Sequence, residues 1–151
     1  MNPQSRRKQA GLSLIELMVA VAILAILALV AYPTYTAQVE KSRRAVAKEA
    51  LLEIAQGLER CYTQFLAYND AGCQLLFNGQ NVALPFTAPR TGTAYYTISA
   101  TTLTASAFTL QAVPVAGTSQ ANDTACAAFT VNNLGARAAT DSGGAANPVC
   151  W

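Results

Sequence analysis

The chain contains no histidine, and only 12% of its 151 residues are charged. Without histidine, neither a Ser-His-Asp nor a Cys-His arrangement can form, and the commonest metal ligand is missing. The carboxylates of Glu49, Glu53 and Glu59 are better explained by a solvated helix face than by acid–base catalysis. We therefore expect no enzymatic activity, no cofactor and no metal site.

The chain also lacks a C-x-x-C pair, so its four cysteines do not suggest a zinc site or a thioredoxin-like redox site. An even number of widely spaced cysteines beyond an apolar segment is typical of disulfides in an oxidising compartment. Three pairings are open, and we favour the two local closures, Cys61–Cys73 and Cys126–Cys150. Four reduced thiols in the cytosol are the alternative.

One long hydrophobic run is present, from Leu12 to Ala31, and Glu16 is its single acid. A charge in the middle of a membrane helix costs about 2.5–3.5 kcal/mol on insertion scales, so Glu16 needs a compensating partner. A basic cluster, Arg6-Arg7-Lys8, and Gly11 precede the run. Cleavage after Gly11 would give Leu12 a cationic amine that can pair with the Glu16 carboxylate of a neighbouring copy.

This region resembles the type IV pilin family in Gly11-Leu12-Ser13-Leu14-Ile15-Glu16-Leu17 and in Pro33 downstream. The family usually has phenylalanine after the glycine, where this chain has Leu12. The resemblance implies that a prepilin peptidase cuts between Gly11 and Leu12, that Leu12 is N-methylated, and that the leader lies in the cytoplasm.

The C-terminal region carries a second likeness, to minor pilins of the type IVa pilus. The chain ends in Cys150-Trp151, Cys126 opens an apolar strand, and Gly135 follows nine residues later.

The alternatives for the N-terminus are an ordinary signal anchor with a stray acid and a secretory signal peptide cut after Ala28 or Ala31. Such peptides have apolar regions of about 7–15 residues without an acid, whereas this run is longer.

Apolar residues continue past the run with helical spacing, at Ala47, Leu51, Ile54, Leu58, Cys61 and Phe65. The spacing predicts one helix over 12–66, bent at Pro33, because proline removes a helical hydrogen bond. Glu40 is expected to pair with Arg43 and Arg44, three and four residues on.

Beyond the helix, residues 74–93 contain Asn78-Gly79, Pro85 and Pro89 and are interpreted as a loop. Three strands of an antiparallel meander are expected over 94–100, 108–115 and 126–132. A surface loop is expected over 141–147.

The predicted fold class is α+β: a long kinked N-terminal helix packed on a small antiparallel sheet. We assign residues 1–11 to a cleaved leader, 12–33 to a transmembrane and filament-core helix, and 34–151 to a periplasmic or extracellular domain. The subunit is expected in the inner membrane, single-pass with a cytoplasmic N-terminus, and then in a cell-surface pilus. Its expected partners are other pilin subunits, the prepilin peptidase and the inner membrane.

A basic cluster lies on the second half of the helix, at Lys41, Arg43, Arg44 and Lys48. The favoured interpretation is a solvated helix face or a subunit contact. The alternative is a stripe of cations that binds the phosphates of DNA. Loss of the leader would leave seven basic against eight acidic side chains. That balance argues against nucleic acid as a partner for the whole surface.

The expected function is a structural subunit, a minor pilin of a type IV pilus. A major pilin remains open, as do roles in adhesion, twitching motility and DNA uptake. One competing function is a type II secretion pseudopilin, whose major form typically has an acidic calcium loop. Asp123 and Asp141 stand too far apart in sequence for such a loop. The other competitor is a DNA-receptor pilin for natural transformation.

Overall fold

The computed structural model describes residues 13–151. Contacts between residues divide the chain into two compact units, Met1–Gln38 and Val39–Trp151. One helix, α1 (Leu14–Phe65), begins in the first unit and ends in the second. The predicted helix is confirmed over the described residues, while Leu12 lies outside them.

The ends of α1 have local causes. At its start, Ser13 is the cap, since its hydroxyl accepts from the Glu16 amide (3.3 Å) and its carbonyl from the Leu17 amide (3.2 Å). At its end, Leu66 adopts a φ of 56°, a left-handed conformation that helices cannot continue. Pro33 lies inside α1 without ending it, and the bend expected there stays a prediction.

In the first unit, the apolar stretch of α1 is long and apolar enough to cross a membrane. Its leucine, isoleucine and valine side chains are exposed, for example Leu29 at 77%. Such a surface is stable only in lipid or against other protein.

In the second unit, five antiparallel strands form a sheet in sequential order. A separate two-stranded hairpin precedes them. The strands are β1 (Leu75–Phe77), β2 (Gln80–Val82), β3 (Phe86–Ala88), β4 (Tyr96–Leu103), β5 (Phe108–Pro114), β6 (Ala128–Asn132) and β7 (Arg137–Thr140).

The core of this unit lies between one face of α1 and the inward face of the sheet. The predicted helix stripe supplies Leu51, Ile54 and Leu58, all fully buried. Alternate residues of the strands meet them, because side chains on a strand point to the two faces in turn. The largest of these are Tyr96, Ile98, Phe108, Leu110 and Phe129.

The interpretation of residues 74–93 as a loop is wrong, since β1, β2 and β3 lie there. Asn78 and Gly79 join β1 to β2 with φ of 51° and 71°, as in the type I′ turn that suits a two-residue hairpin. These strands have three residues each, too few to show an alternating pattern. The three strands of the predicted meander are confirmed as β4, β5 and β6, and the sheet has two more strands, β3 and β7.

Candidate functional site

Gly11 and Leu12, the predicted processing site, lie outside the described residues. Glu16 lies in the first turn of α1 with its side chain exposed. Its position three residues after Ser13 matches a capping box, a sequence pattern of helix starts. Glu16 is therefore also favourable for helix initiation, which is a local reason for an acid at this position.

The favoured interpretation of the four basic residues on α1 is a solvated face or a subunit contact. The solvated face is corrected, because three of the four residues are half-buried. Arg44 does not pair with Glu40. Its Nε and Nη2 donate to the two carboxylate oxygens of Asp123, at 2.6 and 2.7 Å. The Asp123 side chain is only 2% exposed, so this is a largely buried ion pair. The hydrogen bond to Asp123 raises the pKa of Arg44.

The Asp123 carboxylate accepts hydrogen bonds from three residues. Besides Arg44, it accepts from the Gln120 side-chain amide (3.0 Å) and from the Cys126 backbone amide (3.2 Å). Tyr96 lies nearby, fully buried, and its hydroxyl has no hydrogen-bond partner among the described residues. Burial, assisted by the negative charge of Asp123, raises the pKa of Tyr96 to about 12. The cluster fixes the β5–β6 connection to α1.

Arg43 and Lys48 are also held within the unit. Arg43 lies 3.9 Å over the Tyr95 ring and donates to the Ser119 hydroxyl at 2.7 Å. The Lys48 ammonium lies 5.5 Å from the Phe129 ring centroid and 5.7 Å from that of Trp151. Burial, with the charges of Arg44 and Lys41, lowers the Lys48 pKa. Lys41 alone of the four is exposed, so the cluster is mainly an anchor for loops and aromatic side chains.

An open groove of about 620 Å³ runs between α1 and the β6–β7 turn. Its floor is apolar, and two exposed arginines, Arg60 and Arg137, line it. Neither makes an ion pair among the described residues. Glu59 is the one acid of the lining, and it accepts a hydrogen bond from Tyr68 (3.2 Å to both oxygens). These two arginines are 77 positions apart in the chain, so no local sequence pattern brings them together.

Two disulfides cross-link segments of the second unit. The structure joins Cys61 to Cys73 and Cys126 to Cys150, the pairing that the sequence favours. The second bridge fixes the C-terminal segment, where Trp151 packs edge-on against Phe129 and its indole nitrogen donates to the Ala138 carbonyl.

Comparison with known proteins gives two family matches. Residues 6–32 match the prokaryotic N-terminal methylation motif. Residues 33–130 match the family described as type IV minor pilin ComP, DNA uptake sequence receptor. The comparison with curated proteins gave no match.

Among solved structures, the chain is similar to the non-core minor pilin PilV of Neisseria meningitidis. The two are 21% identical, with a TM-score of 0.50, over 74% of this chain and 96% of the other. At that identity the likeness establishes the α+β pilin fold. The family and fold are those of structural subunits, not of known enzymes. With the methylation motif at its N-terminus and a family match over most of its length, the chain belongs to the type IV minor pilin ComP family and is a minor pilin of the type IV pilus.

Proposed function

We propose that residues 12–33 carry the precursor into the inner membrane as a single pass with a cytoplasmic N-terminus. The apolar stretch of α1 and the paired cysteines support this topology, because disulfides form outside the cytosol. The prepilin peptidase then cuts between Gly11 and Leu12, and the new Leu12 amine is methylated. The match of residues 6–32 to the methylation motif supports both steps.

Assembly then transfers the apolar helix from lipid into a filament core made with other pilin subunits, with Pro33 near the end of the transferred segment. The observation that carries this proposal is Glu16, the one charged side chain of the described apolar stretch, exposed on α1 without an ion-pair partner there. In a dry interface its carboxylate requires a cation, which the Leu12 amine of a neighbouring subunit supplies. A subunit out of register leaves a buried charge unpaired.

Two variants separate this role from helix capping. Glu16→Gln keeps a residue that serves in a capping box but removes the charge, whereas Glu16→Asp keeps the charge. We expect Glu16→Gln to be processed and to stay in the membrane, with at least tenfold less subunit in sheared pili. Glu16→Asp should retain substantial incorporation. Wild-type incorporation of Glu16→Gln would refute the charge pairing.

A second function, DNA binding during uptake, is favoured by the description of the matched family as a DNA uptake sequence receptor. We assign the contact to the groove arginines, Arg60 and Arg137, because they are exposed cations without ion-pair partners in the described chain. Guanidinium groups suit phosphate oxygens. Lys41 is a candidate for an additional contact, while Arg44 is already committed to Asp123.

Duplex binding to the full chain in detergent tests this assignment. The double variant Arg60→Gln/Arg137→Gln should weaken binding and lower the slope of log K against log salt by about 1.8, since each phosphate contact contributes about 0.9. The matched control is Arg90→Gln, an exposed arginine outside the groove lining. Equal losses for the control and the double variant would place the contact elsewhere.

A further inference from the structure

Two tyrosines follow the apolar run of α1. Tyr32 comes directly after Ala31, and Tyr35 is three residues further on, so both rings lie on one side of the helix. Their side chains are 72% and 70% exposed. With Ala28 and Ala31 they line a shallow apolar groove on the first unit. Neither ring is part of the buried core of the second unit.

The composition of the helix changes at these tyrosines. Leu29 and Val30, just before them, are exposed and apolar, whereas Gln38 and Glu40 follow within about two turns. Tyrosine has an apolar ring and a polar hydroxyl, and it is enriched where hydrocarbon meets the headgroup layer of a membrane. The position of the pair, its exposure and its chemistry all fit a lipid–water interface.

We propose that Tyr32 and Tyr35 anchor the unassembled subunit at the outer lipid–water interface of the inner membrane and thereby set the depth of Glu16. This inference rests on the membrane-spanning topology proposed above. Tyr32 lies sixteen positions after Glu16, a distance of about 24 Å at a rise of about 1.5 Å per residue. The hydrocarbon layer is about 30 Å thick.

With the tyrosines at the outer boundary, Glu16 lies about 6 Å inside the inner boundary. A carboxylate is less costly near the boundary than at the centre, yet it still favours leaving the lipid for the cytoplasmic side. The tyrosines oppose that movement from the other end of the helix. They therefore hold Glu16 within the lipid, at the level of the apolar surface that other subunits cover during assembly.

Fluorescence quenching by brominated lipids measures the depth of each end. Trp151 is the only tryptophan of the chain, so the Trp151→Phe full-length chain is a background for single reporters. Tyr32→Trp, Ile23→Trp and Gln38→Trp are each reconstituted in phosphatidylcholine vesicles brominated near the headgroup or near the chain end. We expect Ile23→Trp to be quenched mainly by the deep label, Tyr32→Trp mainly by the shallow label, and Gln38→Trp weakly by both.

Quenching of Tyr32→Trp like that of Ile23→Trp or of Gln38→Trp would overturn the anchor while leaving the membrane span intact. Absence of quenching at Ile23→Trp would instead refute the span itself, and this inference with it. The two failures are therefore distinguishable.

A second reporter, Leu17→Trp, follows the depth of the Glu16 end. When Tyr32→Leu and Tyr35→Leu extend the apolar run outward, the helix should slide toward the inner face. The ratio of shallow to deep quenching at Leu17→Trp should then rise at least twofold. Thr34→Leu is the matched control, because it adds apolar surface at the same level and keeps both tyrosines. An unchanged ratio in the double leucine variant would refute the role of the pair in setting depth.

Discussion

Replacing Arg44 should destabilise the second unit far more than its surface position on a helix suggests. In Arg44→Met, Asp123 loses two short charged hydrogen bonds and keeps only Gln120 and the Cys126 amide as donors. Removal of one partner of a buried ion pair costs about 3–5 kcal/mol, because the other charge stays buried. Since the Arg44 side chain is 23% exposed, we expect the lower end, about 3 kcal/mol.

The converse replacement should cost less. Asp123→Asn leaves a guanidinium that can reach water, and it keeps an oxygen that accepts from Arg44. We expect a cost of about 1.5–2 kcal/mol, the lower part of the range of about 1.5–3 kcal/mol for one hydrogen bond to a charged group. In the double variant Arg44→Met/Asp123→Asn, no unpaired charge remains, so its cost should fall below the sum of the two single costs.

Urea unfolding of the full chain in detergent, with disulfides intact, measures these differences. Trp151 reports the transition, because it packs against Phe129 in the core. With a slope of about 1.5 kcal/mol/M, a loss of 3 kcal/mol lowers the midpoint by about 2 M. Lys41→Met, an exposed cation on the same helix, should change the free energy of unfolding by less than about 0.5 kcal/mol. Equal midpoints for Arg44→Met and Lys41→Met would refute the stabilising role of the pair.

Three further outcomes are expected. Because the pKa of Tyr96 is raised to about 12, folding favours its neutral form, and stability should fall as pH rises from about 10 to about 12. Tyr96→Phe should flatten this fall in thermal melts. An unchanged dependence of stability on pH would show that Tyr96 is not its cause. Replacing both cysteines of a disulfide by serine should lower the free energy of unfolding by about 3 kcal/mol for Cys61–Cys73 and by about 3.5 kcal/mol for Cys126–Cys150. The second loss is larger because that disulfide closes a longer loop, 24 against 12 residues. The reverse order in urea unfolding would count against loop closure as the cause. Leu51→Ala, at a fully buried position, should cost about 2–5 kcal/mol, whereas Gln56→Ala on the exposed side of α1 should be close to neutral in the same melts.

The helix and its buried face were predictable from sequence because both depend on local spacing. Leu51, Ile54 and Leu58 repeat with the helical period, and that period alone assigns them to one face. The strand at Arg137–Thr140 was not predictable in this way. Ala138 and Ala139 have low strand propensity. β7 is stabilised instead by pairing with β6, by the Asn147 amide, which donates to the Ala139 carbonyl, and by the Trp151 indole, which donates to the Ala138 carbonyl.

In the basic cluster too, sequence spacing predicts where the residues lie along the helix but not what they contact. Helical spacing correctly places Lys41, Arg43, Arg44 and Lys48 close together along α1, but it carries no information on what they meet. Asp123 is 79 residues from Arg44, and Ser119 is 76 from Arg43. A row of cations that looks like a phosphate stripe in sequence is therefore mostly neutralised or covered in the fold, and only long-range contacts reveal this.

The charge balance of the second unit limits how DNA can bind to it. Residues 39–151 contain seven basic and seven acidic side chains, so no net positive field draws DNA to the whole surface. Binding must come from local cations such as Arg60 and Arg137. With two phosphate contacts, the affinity of the full chain for duplex DNA should fall about tenfold between 50 and 200 mM salt. A fall of a hundredfold or more, measured by titration at several salt concentrations, would show that two contacts are too few and that a further cation, with Lys41 as the candidate, also meets the phosphates.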